Sequence, residues 1–272
     1  MNLSRGAFAV LLVLSIIWSS SAQKSFDVAS VKPNTSGREG GGMSPRGDRL
    51  VATNVTLRSL MVYAFGPLKG LLMRQQIIGG PQWIDSDHFD IEAKLAGVQS
   101  IPPDQIRLML QSLLEERFQL KFHREMRELP VYHLVVTKRG PKMSSDQTPP
   151  DPRQSFITFD SGGEQSTVLP RGAIRESRTS SGTSLTGTGI SVPLLVSLLQ
   201  GQSDRIVLDK TDIKGLLDIQ LRFIDVRSPD QQSDTSVPSL FSAIEDVGLK
   251  LESAKAQLDV VVIDSVQKPI EN

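Results

Sequence analysis

Apolar residues recur at helical spacing in four parts of this chain and alternate with polar residues in several shorter stretches. The clearest helical run follows Pro103 and Asp104, where Ile106, Leu110 and Leu113 would share one face. A proline and an acidic residue in the first turn both favour a helix start at that point. Further helices are predicted from Thr56 to Gly66, at 191–200 and at 239–247.

Strands are predicted where β-branched residues cluster or where apolar and polar residues alternate. They lie at 26–33, 49–53, 76–78, 88–94, 183–188, 205–208 and 216–223, with a strand-like stretch at 156–159. Two hairpins are predicted, one joining 119–124 to 131–138 through a turn at Met126–Pro130, the other within 249–266. Glycine and proline content predicts a loop at Gly37–Gly47 and a turn at Gly79–Asp87.

The second half of the chain repeats the first. Three pairs of segments match in the same order: Leu50–Gly66 with Leu185–Gly201, 89–94 with 217–222, and 120–122 with 249–251. Their offsets are 135, 128 and 129 residues, so the order persists while only loop lengths change. Such persistence predicts a duplicated unit. We therefore expect an α+β fold of two similar α/β lobes, each with a small, mostly antiparallel sheet and two helices.

Four segments follow from these patterns. They are a signal peptide at 1–22, a first α+β lobe at 23–138, a linker or insert rich in Pro, Ser and Gly at 139–182, and a second α+β lobe at 183–272. The first segment combines Arg5, an apolar run from Ala7 to Trp18 and small residues before Gln23, which is typical of a signal peptide. We expect an exported protein, periplasmic or extracellular, with no membrane span after cleavage.

Composition narrows the classes of function. The chain has no cysteine, which excludes disulfides, thiolate metal sites and cysteine nucleophiles. Thirty basic residues balance thirty acidic ones, whereas a nucleic-acid-binding protein usually has a basic excess. We therefore expect no nucleic-acid partner. A small molecule, a cell-wall component or an envelope protein is expected instead.

Candidate chemistry is sparse. Asp85, Asp87, His88 and Asp90 form the densest group of potential ligands, but Asp90 stands where a calcium loop starting at Asp85 needs glycine. Turn formation explains these acids more simply. The chain also lacks the patterns of zinc proteases, nucleophile elbows and phosphate-binding loops. We therefore predict no catalytic residue, no metal site and no cofactor.

An alternative with chemistry stays open. His123 and Glu125 would lie on one face of a strand, where they offer an acid and a base. Together with the group at 85–90 they define the alternative of an uncharacterised hydrolase or metal-dependent enzyme. A hydrogen-bonded strand histidine is the simpler interpretation.

A groove between the two repeats is the expected ligand site, since lobe interfaces form concave pockets. Polar turns at Gly79–Asp87 and Asp209–Gly215 are expected at its rim. The candidate ligand-binding residues are Trp83, Asp85, Asp87, His88, His123, Asp209, Lys210 and Asp212.

Seven segments carry a family resemblance: FDVASVKPN at 26–34, NVTLRSLMVYAFG at 54–66, GGPQWIDSDHFDIEAK at 79–94, LLEERFQLKFHREMRELPVYHLVVTKRGPK at 113–142, GTGISVPLLVSLLQ at 187–200, VLDKTDIKGLLDIQL at 207–221 and PSLFSAIEDVGLKLE at 238–252. Here the chain resembles the Solibacter-type conserved hypothetical proteins, an exported family of unknown function expanded in acidobacteria. That resemblance implies no established activity and no catalytic residues. Some relatives carry the domain behind a membrane metallopeptidase similar to antibiotic-sensing receptors, which implies a sensor or interaction role.

The leading hypothesis is an exported, non-enzymatic binding or interaction domain of the bacterial envelope, similar to a sensor. The helix–strand units are also similar to the N-terminal interaction domains of secretins and TonB-dependent receptors. A protein-interaction module of that kind is therefore a further alternative, and an exposed edge strand would favour it.

Overall fold

The computed structural model describes residues 26–37, 40–46, 48–66, 73–94, 102–151, 157–160, 169–179, 182–224 and 237–269. The predicted signal peptide at 1–22 lies outside these residues. Within them, no helix has the length and apolar character needed to cross a membrane.

The described residues form strands and helices in mixed order. The strands are β1 (Val28–Pro33), β2 (Gly42–Arg46), β3 (Arg49–Thr56), β4 (Ile77–Ile78), β5 (His88–Lys94), β6 (Lys121–Val136), β7 (Ile157–Asp160), β8 (Ile174–Thr179), β9 (Gly182–Ser191), β10 (Ile206–Asp209), β11 (Leu216–Phe223) and β12 (Leu249–Ser265). The helices are α1 (Leu57–Phe65), α2 (Trp83–Ser86), α3 (Pro103–Arg117), α4 (Val192–Gln202) and α5 (Leu240–Asp246). The predicted α+β class is confirmed.

The described strands form three four-stranded sheets. The first sheet has the order β1-β5-β3-β2 and is antiparallel throughout, and the second has the order β11-β9-β8-β7, with β7 parallel to β8. The central sheet has the order β10-β6-β12-β4, with an antiparallel pair in the middle and a short parallel strand on each side. Strands from both halves of the chain therefore alternate in the central sheet.

The helices start where the sequence supplies a cap. Thr56 precedes α1 and its hydroxyl accepts a hydrogen bond from the Ser59 N–H at 3.2 Å, as its position predicts. Ser191 caps α4 in the same way, accepting from the Leu194 N–H at 3.4 Å. Because each cap is also the last residue of the strand before the helix, β3–α1 and β9–α4 are matched strand–helix units.

The same two units share a backbone irregularity. Asn54 and Gly189 both adopt positive φ angles, 54° and 60°, just before the capped helix. Asp90 Oδ1 accepts a hydrogen bond from the Asn54 N–H at 2.8 Å, and Asp218 Oδ1 accepts one from the Gly189 N–H at 2.9 Å. The sequence offsets align Asn54 with Gly189 and Asp90 with Asp218. Duplication itself stays a prediction, and these paired features are what it would produce.

The two predicted hairpins are wrong. β6 and β12 are single long strands that pair with each other, from Leu249 opposite Val136 to Ser265 opposite Lys121. We name this pair the ribbon. The 126–130 segment contains no Gly, Asn or Asp to supply the positive φ of a tight turn, and a proline is compatible with extended backbone. Pairing with β12 therefore keeps the chain extended through it.

The ribbon contributes to two hydrophobic cores. Val261 and Ile263 of β12 pack into the first core beside residues of α1 and α3 such as Leu60 and Leu114. Leu134 of β6 packs into the second core, which surrounds α4 and α5. Each core thus contains residues that lie in the other half of the sequence.

Three further differences concern regions expected to be irregular. The predicted loop Gly37–Gly47 contains β2, which pairs with β3. The predicted linker 139–182 contains β8, which pairs with β9, as well as β7 at the strand-like stretch. The predicted turn after Gly79 contains the short helix α2. In the first two segments, pairing with the strand that follows orders residues whose local composition resembles a loop.

Candidate functional site

A polar cleft opens where β2, the start of α1 and α2 meet. Its volume is about 540 Å³, within the range of small-molecule sites. Strand β2 and the preceding glycines form one wall, and α1 forms another. The lining residues are Gly40–Met43, Asn54–Thr56, Ser59, Leu60, Tyr63, Arg74, Asp85 and His88.

Close backbone contact shapes the glycine wall. A Cβ atom at Gly41 would overlap the carbonyl oxygen of Asn54, so only glycine allows this approach. The Asn54 side chain then donates a hydrogen bond to the Gly40 carbonyl at 2.8 Å. These contacts fix the wall against the strand that leads into α1.

Asp85 lies between two arginines. Its Oδ1 accepts from Arg58 Nε and from Arg74 Nη2, both at 2.7 Å. The Arg58 hydrogen bond is the main reason why the pKa of Asp85 lies below its ordinary value, and Arg74 adds to the effect. Arg58 is only 13% exposed and also donates to the Ile77 carbonyl at 2.6 Å. Two guanidinium groups and one carboxylate leave this group with a net positive charge.

Asp87 and Trp83 lie beside the cleft and are not among its lining residues. Lys268 Nζ is 2.6 Å from Asp87 Oδ2, and this contact is the main cause of the lowered pKa of Asp87. The same ammonium lies 5.8 Å from the centre of the Trp83 ring. Trp83 stacks on Phe118 at 6.4 Å between ring centroids. Trp83 therefore serves as an anchor at the edge of the first core.

His123 lies on the ribbon, on an exposed face. Its Nδ1 is 2.8 Å from Asp264 Oδ1, and its Nε2 is 3.9 Å from Glu125 Oε2. His123 and Glu125 thus share a strand face, as the alternation predicts. Neither residue lines the cleft.

Asp209 ends β10, and Lys210 and Asp212 lie in the segment that follows. Asp209 Oδ1 accepts from the Thr211 N–H at 2.9 Å and from its hydroxyl at 2.8 Å. The Lys210 N–H donates to the Leu134 carbonyl at 2.9 Å, and Asp212 has a φ of 56°. Their local contacts are those of a turn. Of the eight candidate residues, the cleft brings together Asp85 and His88.

A groove also lies between the two halves. Its volume is about 500 Å³, and Met73 and Gln76 face Gln200 and Ile206 across it. A third cleft of about 530 Å³ is lined by Arg139, among others. The eight candidate residues line neither of these two cavities.

The acids at 85–90 do not converge. Asp85 binds arginines, Asp87 binds Lys268, and Asp90 accepts from Asn54 and from Asn34 Nδ2 at 2.7 Å. Among the residues that the structure describes, no three His, Asp or Glu side chains are placed to hold a metal ion. The cleft instead offers hydroxyl, phenol, imidazole and guanidinium groups that can hydrogen-bond a polar ligand.

Sequence reasoning missed several cleft residues and also Arg58, which binds Asp85 without lining the cleft. Arg58 and Arg74 come from α1 and from the turn before β4, and no local motif links them to Asp85. Tyr63 and Ser59 fall on a helix whose pattern indicates only a buried face. The triple glycine at 40–42 was the one available signal, since a glycine wall often marks a close backbone approach.

By fold and site, this chain is an α+β protein with a polar cleft in its first half. It belongs to the family described as protein of unknown function DUF3738, whose model matches residues 58–266. That match includes Arg58, Arg74 and Asp85 and the whole of the ribbon. No curated protein and no solved structure matches the chain.

Proposed function

We propose that this protein is an exported, non-enzymatic binding domain of the bacterial envelope, with a sensor-like role. In this proposal the polar cleft binds a small ligand that carries a carboxylate, such as a cell-wall peptide. The observation that carries it is the net positive Arg58–Asp85–Arg74 group at a cleft of small-molecule size.

Arg74 is the residue best placed to meet the ligand. It lines the cleft and is 54% exposed, whereas Arg58 is 13% exposed and does not line the cleft. A guanidinium has five N–H donors in a planar fork, so Arg74 retains donors beyond its bond to Asp85. Such a fork binds carboxylates with two parallel hydrogen bonds. Tyr63 and Ser59 can position the rest of a polar ligand.

Support for binding rather than catalysis comes from the partners of the acids. Asp85 and Asp87 each bind a cation that lowers the pKa of the carboxyl group and so favours the ionised carboxylate over a proton-transferring acid, and Asp90 is held by hydrogen bonds from Asn54 and Asn34. Support for export comes from the signal-like pattern at 1–22 and from the resemblance to a family of exported proteins.

A thermal-shift measurement tests the proposal. The probes are cell-wall peptides with a free C-terminal carboxylate, such as D-alanyl-D-alanine, each compared with its C-terminal amide. A ligand at 100 times its Kd should stabilise the protein by about 2.7 kcal/mol. We expect a clear rise in Tm with the acid and little with the amide.

Two variants locate the site. R74Q should abolish the shift, while R49Q should retain it, because Arg49 is similarly exposed at 51% and pairs with Glu92 away from the cleft. A shift that survives in R74Q, or acid and amide probes that act equally, would contradict the proposal.

A further inference from the structure

Along part of one edge of the ribbon, the described residues provide no strand partner. Strand β10 pairs with β6 only over Val131–Leu134. From Lys121 to Pro130, β6 has β12 on one side, and no strand in the described part of the chain pairs on the other. Unpaired strand edges are templates for another strand.

The alternation of the backbone identifies the groups on this edge. The Leu134 carbonyl accepts from Lys210 on the outer side, whereas the Thr137 N–H donates to Gly248 on the β12 side. Residues at even spacing from Leu134 therefore point their N–H and C=O outward. The pairing of β6 with β12 is regular from Phe122 to Val136, so the outward residues include Arg124, Met126 and Glu128.

The charges along this edge are self-complementary. Residues 124 to 128 read Arg-Glu-Met-Arg-Glu. In an antiparallel pair of two such strands centred on Met126, Arg124 faces Glu128 and Glu125 faces Arg127. Moving the centre by one residue puts Glu125 or Arg127 opposite itself, and like charges directly opposite are destabilising. The sequence thus favours a single register.

Met126 adds an apolar contact at the centre. Met126 is 63% exposed, more than any other large hydrophobic residue in the described part of the chain. In the centred register it would meet its own copy across the two-fold axis. Because its N–H and C=O point outward, the central pair would also exchange two hydrogen bonds.

We propose that a second copy of this chain binds along this edge, so that two central sheets join through antiparallel β6 strands from Phe122 to Pro130. Pairing ends where β10 begins, so β10 keeps its place in both copies. The existing ion pairs of the edge are exposed, among them Arg127 with Glu125, and exchanging exposed pairs costs little.

Charge reversal with rescue tests the proposal on the purified chain. Sedimentation equilibrium of the unmodified protein should give twice the chain mass, and R127E should give the chain mass because both Glu125–Arg127 contacts become Glu–Glu. E125R/R127E restores opposite charges and should restore the dimer. Circular dichroism of each variant establishes that it is folded.

Cysteine cross-linking tests the register. The chain has no cysteine, so M126C introduces a single thiol. Opposed residues in a hydrogen-bonded pair have Cα atoms about 5.5 Å apart, which suits a disulfide. Mild oxidation should cross-link M126C into dimers and leave M143C, an exposed methionine site elsewhere, uncross-linked. A monomeric unmodified protein, a dimer that persists in R127E, or equal cross-linking at both sites would overturn the proposal.

Discussion

Asp90 accepts a hydrogen bond from the backbone N–H of Asn54 at 2.8 Å. The register between β3 and β5 shifts at this point, between Ala52 and Val55, and the Asp90 side chain provides an acceptor at the irregularity. Asp218 provides the same acceptor for Gly189 in the second sheet. A buried N–H without an acceptor is costly, and each sheet uses one carboxylate to avoid that cost.

Removing either carboxylate should destabilise the protein. We expect D90A and D218A each to lower the free energy of unfolding by about 1–3 kcal/mol, because a backbone donor loses its acceptor. Urea unfolding measures the change. D90N keeps an acceptor oxygen and should cost less, while D48A, at an exposed carboxylate, should change stability by less than about 0.5 kcal/mol. Equal effects of D90A and D48A would argue against this role.

The positive φ of Gly189 leads to a second prediction. G189A should destabilise the protein by about 1–2 kcal/mol, because an alanine Cβ is strained in the left-handed region. Asparagine tolerates this region, as Asn54 does at the matching position, so G189N should cost less. In either variant the new Cβ atom at position 189 would lie 2.7 Å from Arg171 Nε. Both variants are therefore also measured in a chain carrying R171A, which removes that contact. If alanine and asparagine are equal in that background, the backbone angle is not the cause.

The lowered pKa of Asp85 predicts a pH-dependent contribution to stability. Because the folded-state pKa lies below the unfolded value of about 3.9, the contribution is complete above that value. It is lost as the pH falls through the folded-state pKa. The difference in unfolding free energy between unmodified protein and D85N should therefore be larger at neutral pH than near pH ~2.

Arg58 provides the control for that measurement. Its hydrogen bond is the main cause of the lowered pKa, so in an R58Q background the effect of D85N should depend much less on pH. Urea midpoints at the two pH values give both comparisons. A pH-independent effect of D85N in the unmodified protein would contradict the assignment.

The ribbon predicts that the two cores unfold together. Leu114 is buried in the first core and Leu134 in the second, and each change to alanine should cost about 2–5 kcal/mol. Both variants should shift one common transition in calorimetry, because β6 and β12 run through both cores. Two resolved transitions, with each variant moving only one, would show that the ribbon does not couple the cores.

Local sequence signals predicted the elements that are determined by helix capping and by the spacing of apolar residues. The cap at Thr56, the amphipathic face of α3 and the strand at 216–223 follow from spacing and capping. The pairing of β6 with β12 could not be predicted in this way. Nothing within either strand identifies its partner, and the polar segment before Pro130 resembles a turn until β12 pairs with it.

The candidate site was predictable only in part for the same reason. Asp85 and His88 stand out as polar residues in a short segment, and both line the cleft. Arg58 and Arg74, which determine the charge at Asp85, are brought to it by the packing of other elements. Asp209 and His123 have polar surroundings too, but their contacts are those of a turn and of a strand face.

The interleaving of the central sheet determines when the chain can fold. β4 has its only described strand partner in β12, and Val261 and Ile263 complete the first core, so a chain still lacking its last segment holds an unfinished core. The first half of the chain therefore cannot complete its core during synthesis before β12 has been made. Pairing between strands far apart in sequence also slows folding. The complete chain therefore exists for a time with its central sheet not yet formed.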